Sequence, residues 1–234
     1  KLIFFRDNAN AEYSAGAVAR IRLYDCALTP SEVAGLDRLP GQTPTCTTIT
    51  GLNVNRLCNP GAELGQGATD KSQVVPIPGW TTTANFTATR YDAQGSLTVE
   101  EAQQIGGGTN FFYGGDVNER STATQTIDVS DEATGIDAGL RTAQLLAHLG
   151  GYDPDTSALQ ALFLSASGTA LGTPLSLGPV TGNMQQYSSA RQVPVGTRAI
   201  RVTMEAVRSG GQDNEGYFDN LSLMLTQSGA SNCV

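Results

Sequence analysis

Two-residue alternation is the feature that most restricts what this chain can become. Ile200, Val202 and Met204 alternate with Arg201, Thr203 and Glu205, and Leu221, Leu223 and Leu225 alternate with Ser222, Met224 and Thr226. Ile127 and Val129 alternate with Thr126 and Asp128; Leu145, Ala147 and Leu149 form a similar run, and Leu162 and Leu164 flank Phe163. Successive strand side chains point to opposite faces, so each run describes a strand with one buried face. Between the runs stand Gly106-Gly107-Gly108, Gly114-Gly115, Gly150-Gly151 and Ser209-Gly210-Gly211, which read as turns. No long amphipathic helix interrupts them. From Leu57 onward the pattern predicts an all-β antiparallel sandwich, with Val99–Ile105 read as a turn on a connection.

Composition removes several function classes. Fourteen basic side chains stand against 22 acidic ones in 234 residues, a formal charge of −8, which gives no basis for a nucleic-acid groove or an anionic-membrane patch. No apolar run approaches the ~18 residues of a membrane span. One histidine, His148, cannot make a His-rich metal site within one chain. Four cysteines, Cys26, Cys46, Cys58 and Cys233, lack CxxC spacing. Their even number, in a chain with only Lys1 and Lys71 as lysines, suits a secreted or surface protein with disulfides. Three pairings remain open. The chain opens on the apolar run Lys1–Phe5 without a methionine or a signal-peptide pattern, and reads as a piece of something longer.

Four segments separate. In residues 1–40, Ala17–Tyr24 alternates like a strand, and Thr29-Pro30-Ser31-Glu32 supplies a capping box for a short helix through Leu36. Residues 41–56, with Pro40 just before them, read as a linker rich in threonine. Residues 57–228 hold the sandwich, and 229–234 a tail.

Catalytic motifs fare poorly. His148 sits in a strand-like run, and no G-x-S-x-G elbow accompanies it. Glu100, Glu101, Glu119, Asp213 and Glu215 could be paired for glycoside hydrolysis, but they fall in loops where carboxylates are usually just solvated. Gly106-Gly107-Gly108 does not open onto a helix, as a phosphate loop would. Asp153-Pro154-Asp155-Thr156-Ser157 lacks the glycine and glutamate of a calcium loop and reads as a turn. Asn85 and Asn220 begin glycosylation sequons. Sugar recognition needs flat apolar faces beside polar groups, which singles out Tyr113, Tyr152 and Trp80; Trp80 also suits a core plug. Of consecutive Phe111 and Phe112, one must face the core.

Two resemblances follow. The segment FFRDNANAEYSAGAVARIRLYDCALTPSEVAGL resembles the closing strand and capped helix of a laminin-G-like (concanavalin-like) jelly roll. So small a piece cannot bury its own apolar face, which implies that residues 1–39 pack against a neighbouring domain or chain. The opening Asn59-Pro60-Gly61-Ala62-Glu63 … Pro78-Gly79-Trp80 and the closing Gly216-Tyr217-Phe218-Asp219-Asn220-Leu221-Ser222-Leu223 resemble the first and last strands of the galactose-binding-like β-sandwich of carbohydrate-binding-module type. That resemblance implies a jelly roll whose end strands are neighbours. It also implies a structural calcium ion held by Glu63 and Asp219, with oxygen from the Asn59–Gly61 turn. The function it implies is a non-catalytic, exported accessory module that binds carbohydrate or a cell-surface polymer for a larger parent protein. The alternative is an adhesive part that self-associates into filaments or oligomers through exposed strands.

Overall fold

A computed structural model describes residues 46–152 and 154–228. Among them, eleven strands form two sheets. The six-stranded sheet runs in the order β1 (Ala68–Asp70), β3 (Thr87–Gln94), β4 (Asn110–Tyr113), β11 (Gly216–Gln227), β6 (Arg141–Gly151), β9 (Gly182–Gln192). The five-stranded sheet runs β2 (Thr81–Thr82), β5 (Arg120–Asp128), β10 (Ala199–Val207), β7 (Thr156–Leu164), β8 (Leu175–Val180). Every pairing is antiparallel except β1 with β3. This is the sandwich expected from the alternation.

The inward sets meet in one core. Ile200, Val202 and Met204 of β10 and Leu159, Ala161 and Phe163 of β7 face Leu145, Ala147 and Leu149 of β6 and Leu221, Leu223 and Leu225 of β11, all buried. On β7 the inward residue is Phe163, and Leu162 beside it is half-buried on the other face. Phe112 lies in this core while Phe111 lies in a second cluster outside it, as consecutive strand residues must. β11 departs from strict alternation at one place. Between Asp219 and Ser222 its register against β6 shifts, with Asn220 at φ +50°. This bulge lets both Phe218 and Leu221 point inward, three positions apart, and leaves Asp219 on the outer face.

Two expectations are corrected. The segment composed like a linker is part of the sandwich from Cys46 onward. The Asn53 N–H donates to the Leu225 carbonyl and the Arg56 N–H to the Leu223 carbonyl, each at 2.8 Å, so the segment follows β11. Cys46 is disulfide-bonded to Cys58, and the Arg56 guanidinium is 0% exposed. Val99–Ile105 is a helix, α1, not a bare turn. Thr98 accepts from the Glu101 N–H, and the Glu101 carboxylate accepts from the Thr98 N–H. That reciprocal cap satisfies the helix-start donors, and burial of Ala102 against the outer cluster fixes the helix in place. A 3-10 turn (Ser130–Glu132) and α2 (Ala133–Asp137) connect β5 to β6. Cys26, Cys233, the strand and capped helix expected within 1–40, and the tail 229–234 lie outside the described residues.

Candidate functional site

The outer face of the six-stranded sheet carries a row of aromatic rings. Tyr91 and Phe111 lie 4.7 Å apart between centroids, Phe111 and Tyr217 5.8 Å in an edge arrangement, and Tyr113 stacks on Tyr217 at 6.1 Å. Tyr113 and Tyr217 face each other across β4 and β11. The row ends in oxygen-rich groups on both sides.

At one end lies the seam between the opening and closing motifs. The Leu221 N–H donates to the Pro60 carbonyl at 2.9 Å, which draws the 59–64 turn to the β11 bulge. Tyr91 OH donates to Asp219 Oδ2 at 2.7 Å, and the Asn220 N–H to Asp219 Oδ1 at 2.6 Å. Glu63 Oε1 accepts from the Thr109 and Asn110 N–H groups at 2.8 and 2.9 Å. Burial pushes the Asp219 carboxyl up to about 7, and the charge of Glu63 adds to that rise, against the Tyr91 and Asn220 hydrogen bonds. Glycines make this approach feasible. A Cβ on Gly107 would come within 2.8 Å of Asp219 Oδ2, one on Gly108 within 2.2 Å of Glu63 Oε1, and one on Gly61 within 3.3 Å of Asp219 Oδ1. Two carboxylates in such a cradle fit a hard cation. Among the described residues no group of three or more His, Cys, Asp or Glu side chains is arranged for a metal, so further oxygens would come from backbone or amide groups. The Asn59 side chain is engaged otherwise: its Oδ1 accepts from the Leu64 N–H at 2.8 Å and its Nδ2 donates to the Pro78 carbonyl at 3.1 Å.

At the other end lies a charged rim. Asp155, 2% exposed, accepts from the N–H groups of Ser209, Gly210 and Glu215 at 2.7, 3.1 and 2.8 Å, and so shapes the 209–215 loop. On that loop, Asp213 forms an ion pair with Lys71 and shares a hydrogen bond with Asp116. The shared bond raises the Asp116 carboxyl above its ordinary range. Burial opposes ionisation of Asp213, but Lys71 and Asp116 together hold it below the ordinary carboxylate range. Burial raises Glu215, whose Oε1 accepts from Tyr217 OH at 3.4 Å. Tyr113 is 3% exposed, and its hydroxyl has no hydrogen-bond partner among the described residues. Burial first, then the charges of Asp213, Glu215 and Asp116, push its pKa up. Tyr152 is 68% exposed, and its N–H donates to the Glu215 carbonyl at 3.0 Å.

The structure therefore brings Tyr113 and Tyr152 to one rim and keeps Trp80 away from it. Trp80 is 8% exposed, lies edge-on to Phe112 at 5.6 Å, and donates its indole N–H to the Cys58 and Asn59 carbonyls. Its surface reading is corrected: it is a core plug. His148 stands on the outer face opposite Asp219, and burial lowers its pKa. Glu100 and Glu101 belong to α1. Glu119 lines an open cleft of about 480 Å³ with Arg120, Arg208 and Gly210, whose arginines are engaged by Glu205 and the Gln212 carbonyl. Both sequon asparagines donate their amides to backbone carbonyls, Asn85 to Asp116 and Asn220 to Ile105. Sequence reasoning missed Lys71 and Asp116, which sit in unpatterned turns and gain meaning only from their neighbours in space.

No protein-family model and no curated protein matches the chain. Solved structures do resemble it. The enzymatically active domain of tailspike protein 4 of bacteriophage CBA120 is 18% identical with a TM-score of 0.45, over 74% of this chain and 21% of that one. The chain thus spans about a fifth of the tailspike chain. TmCBM61, solved in complex with β-1,4-galactotriose, is 17% identical with a TM-score of 0.43, over 75% of this chain and 100% of that one. The CBM22-1 xylan-binding domain of Paenibacillus barcinonensis Xyn10C is 9% identical with a TM-score of 0.36, over 69% and 93%. By their descriptions the last two are carbohydrate-binding modules.

Proposed function

We propose that this sandwich is a non-catalytic carbohydrate-binding module of an exported protein, with the charged rim as its sugar site. The observation that carries the reading is Tyr152, an exposed ring whose backbone N–H donates to the carbonyl of Glu215, on the loop that also carries the Asp213–Lys71 ion pair. A flat apolar face beside convergent hydrogen-bonding groups is what a pyranose needs. The Cys46–Cys58 disulfide supports export. Tyr152→Ala is expected to weaken binding of the best ligand from a glycan array about tenfold, the effect of roughly 1.4 kcal/mol, with no change in thermal midpoint. Trp80→Phe should lower the midpoint and leave affinity intact. A glycan array without a ligand, or Tyr152→Ala binding like the parent, counts against the rim. One observation favours self-association instead: β9, eleven residues long, forms an exposed edge of its sheet among the described residues. Sedimentation with increasing concentration distinguishes the two.

The seam is part of the same proposal, as a structural calcium site on Glu63 and Asp219 that ties the first turn to the last strand. In the cation-free protein the raised Asp219 contributes stability that is present below the ordinary carboxylate range and lost as pH rises through about 7. Calcium needs the ionised carboxylate, so its stabilisation should be larger at pH 8 than at pH 5. At 100 times its dissociation constant it adds about 2.7 kcal/mol, read as a higher midpoint in calcium than in chelator. Equal midpoints at pH 8, in the parent and in Asp219→Ala, remove the calcium site.

A further inference from the structure

We infer that the rim is an ammonium subsite, and that the glycan it recognises carries a protonated amino sugar. This inference rests on the carbohydrate reading above and narrows its ligand class. An ammonium is already held there: Lys71 forms an ion pair with Asp213, and its charge also acts on Glu215 and Asp116. Three acidic side chains gather around that one lysine. Arg208, the next cation to act on Asp213, gives its Nη1 to the Gln212 carbonyl. One resident ammonium therefore leaves acceptor capacity that a neutral sugar hydroxyl would use only weakly and a ligand ammonium would use through charge-assisted bonds.

The second observation is the Tyr113 hydroxyl, buried under this cluster with no hydrogen-bond partner among the described residues. A buried O–H left unpaired is costly, and most such groups in folded proteins are satisfied. Its ring stacks on Tyr217, whose own hydroxyl reaches Glu215, and the charges that act on it are those of Asp213, Glu215 and Asp116. A ligand whose ammonium joins Lys71 among Asp213, Glu215 and Asp116 would offer this hydroxyl a ring or hydroxyl oxygen. Tyr152 adds an exposed ring, and a cation over an aromatic face is attracted by its quadrupole. Asp155 holds the loop in shape beforehand, so little ordering cost falls on binding.

The test uses the full chain and three tetrasaccharides with one backbone: tetra-glucosamine, tetra-N-acetylglucosamine and cellotetraose, which differ in the group at C2. Calorimetry at pH 6 and low salt should find tetra-glucosamine at least tenfold tighter than either of the others. Asp213→Asn and Glu215→Gln should each cut that preference at least fivefold, with midpoints near the parent's. Glu205→Gln, on the other sheet, should leave it unchanged, which separates a site from the general attraction of an acidic chain. Lys71→Met removes the resident ammonium and should keep the preference or increase it. Equal affinity for the three oligomers, or loss of the preference in Lys71→Met, overturns the ammonium subsite while leaving neutral-sugar binding standing. Failure of every glycan on an array would overturn the carbohydrate reading, and this inference with it.

Discussion

Asp131→Ala is expected to lower the unfolding free energy by about 4 kcal/mol, the cost of leaving a buried charge without its partner. The charge is the Arg56 guanidinium, fully buried, whose Nη1 and Nη2 donate to the two Asp131 carboxylate oxygens at 2.9 Å each. Arg56 also donates Nε to the Gly51 carbonyl and Nη1 to the Ile49 carbonyl, and Asp131 Oδ2 accepts from the Gly51 N–H. The pair thus staples the first described segment to the 3-10 turn after β5. The two partners are not equivalent. Asp131 is partly exposed, so water can solvate its carboxylate once the arginine is gone. Arg56→Met should therefore cost less, about 2 kcal/mol, chiefly through the two carbonyls left unpaired. Urea unfolding of both variants decides it. A loss under 1 kcal/mol in Asp131→Ala, or the reverse order, would mean that the segment is held by its backbone bonds and disulfide alone.

Asp155→Ala is the second large effect, again about 4 kcal/mol, because three backbone donors lose their acceptor at once, at roughly 1–3 kcal/mol each with partial relaxation toward water. The change also frees the loop that carries Asp213 and Glu215, so carbohydrate binding should disappear even at temperatures where the sandwich is intact. Amide exchange gives the specific readout: Ser209, Gly210 and Glu215 should exchange much faster, while Val202 and Leu223 stay protected at the level of global unfolding. Asp155→Asn keeps one acceptor oxygen and should recover part of both properties. Unchanged exchange at those three amides would show that the loop is shaped by its own turns.

The sandwich was legible because alternation is a one-dimensional record of burial. Ile200, Val202 and Met204 state their face whatever strand lies beside them, and glycine clusters state where strands end. α1 was also written in the sequence, in the Thr98–Glu101 capping box. Periodicity does not reveal it because Val99–Ile105 has no apolar stripe of its own; one buried residue, Ala102, suffices when the covered surface is aromatic. Residues 46–56 keep the composition of a linker for the opposite reason: they bond to β11 irregularly, at Asn53 and Arg56, so no alternation marks them.

Motif resemblance singles out Glu63 and Asp219, and the bulge at Asn220 brings their loops together in space. The sequence by itself determined the period, the faces and the turns, since these depend on neighbours one or two residues away. Which polar groups form a site was decided by the tertiary structure alone. Lys71, Asp116, Tyr152, Asp155 and Asp213 come from four separate connections, Tyr152 and Asp155 sharing the one between β6 and β7, and the interactions among them span up to 142 residues. Charge and hydrogen bonding act over a few ångströms of space, and no local pattern encodes which distant loops the fold will bring within that reach.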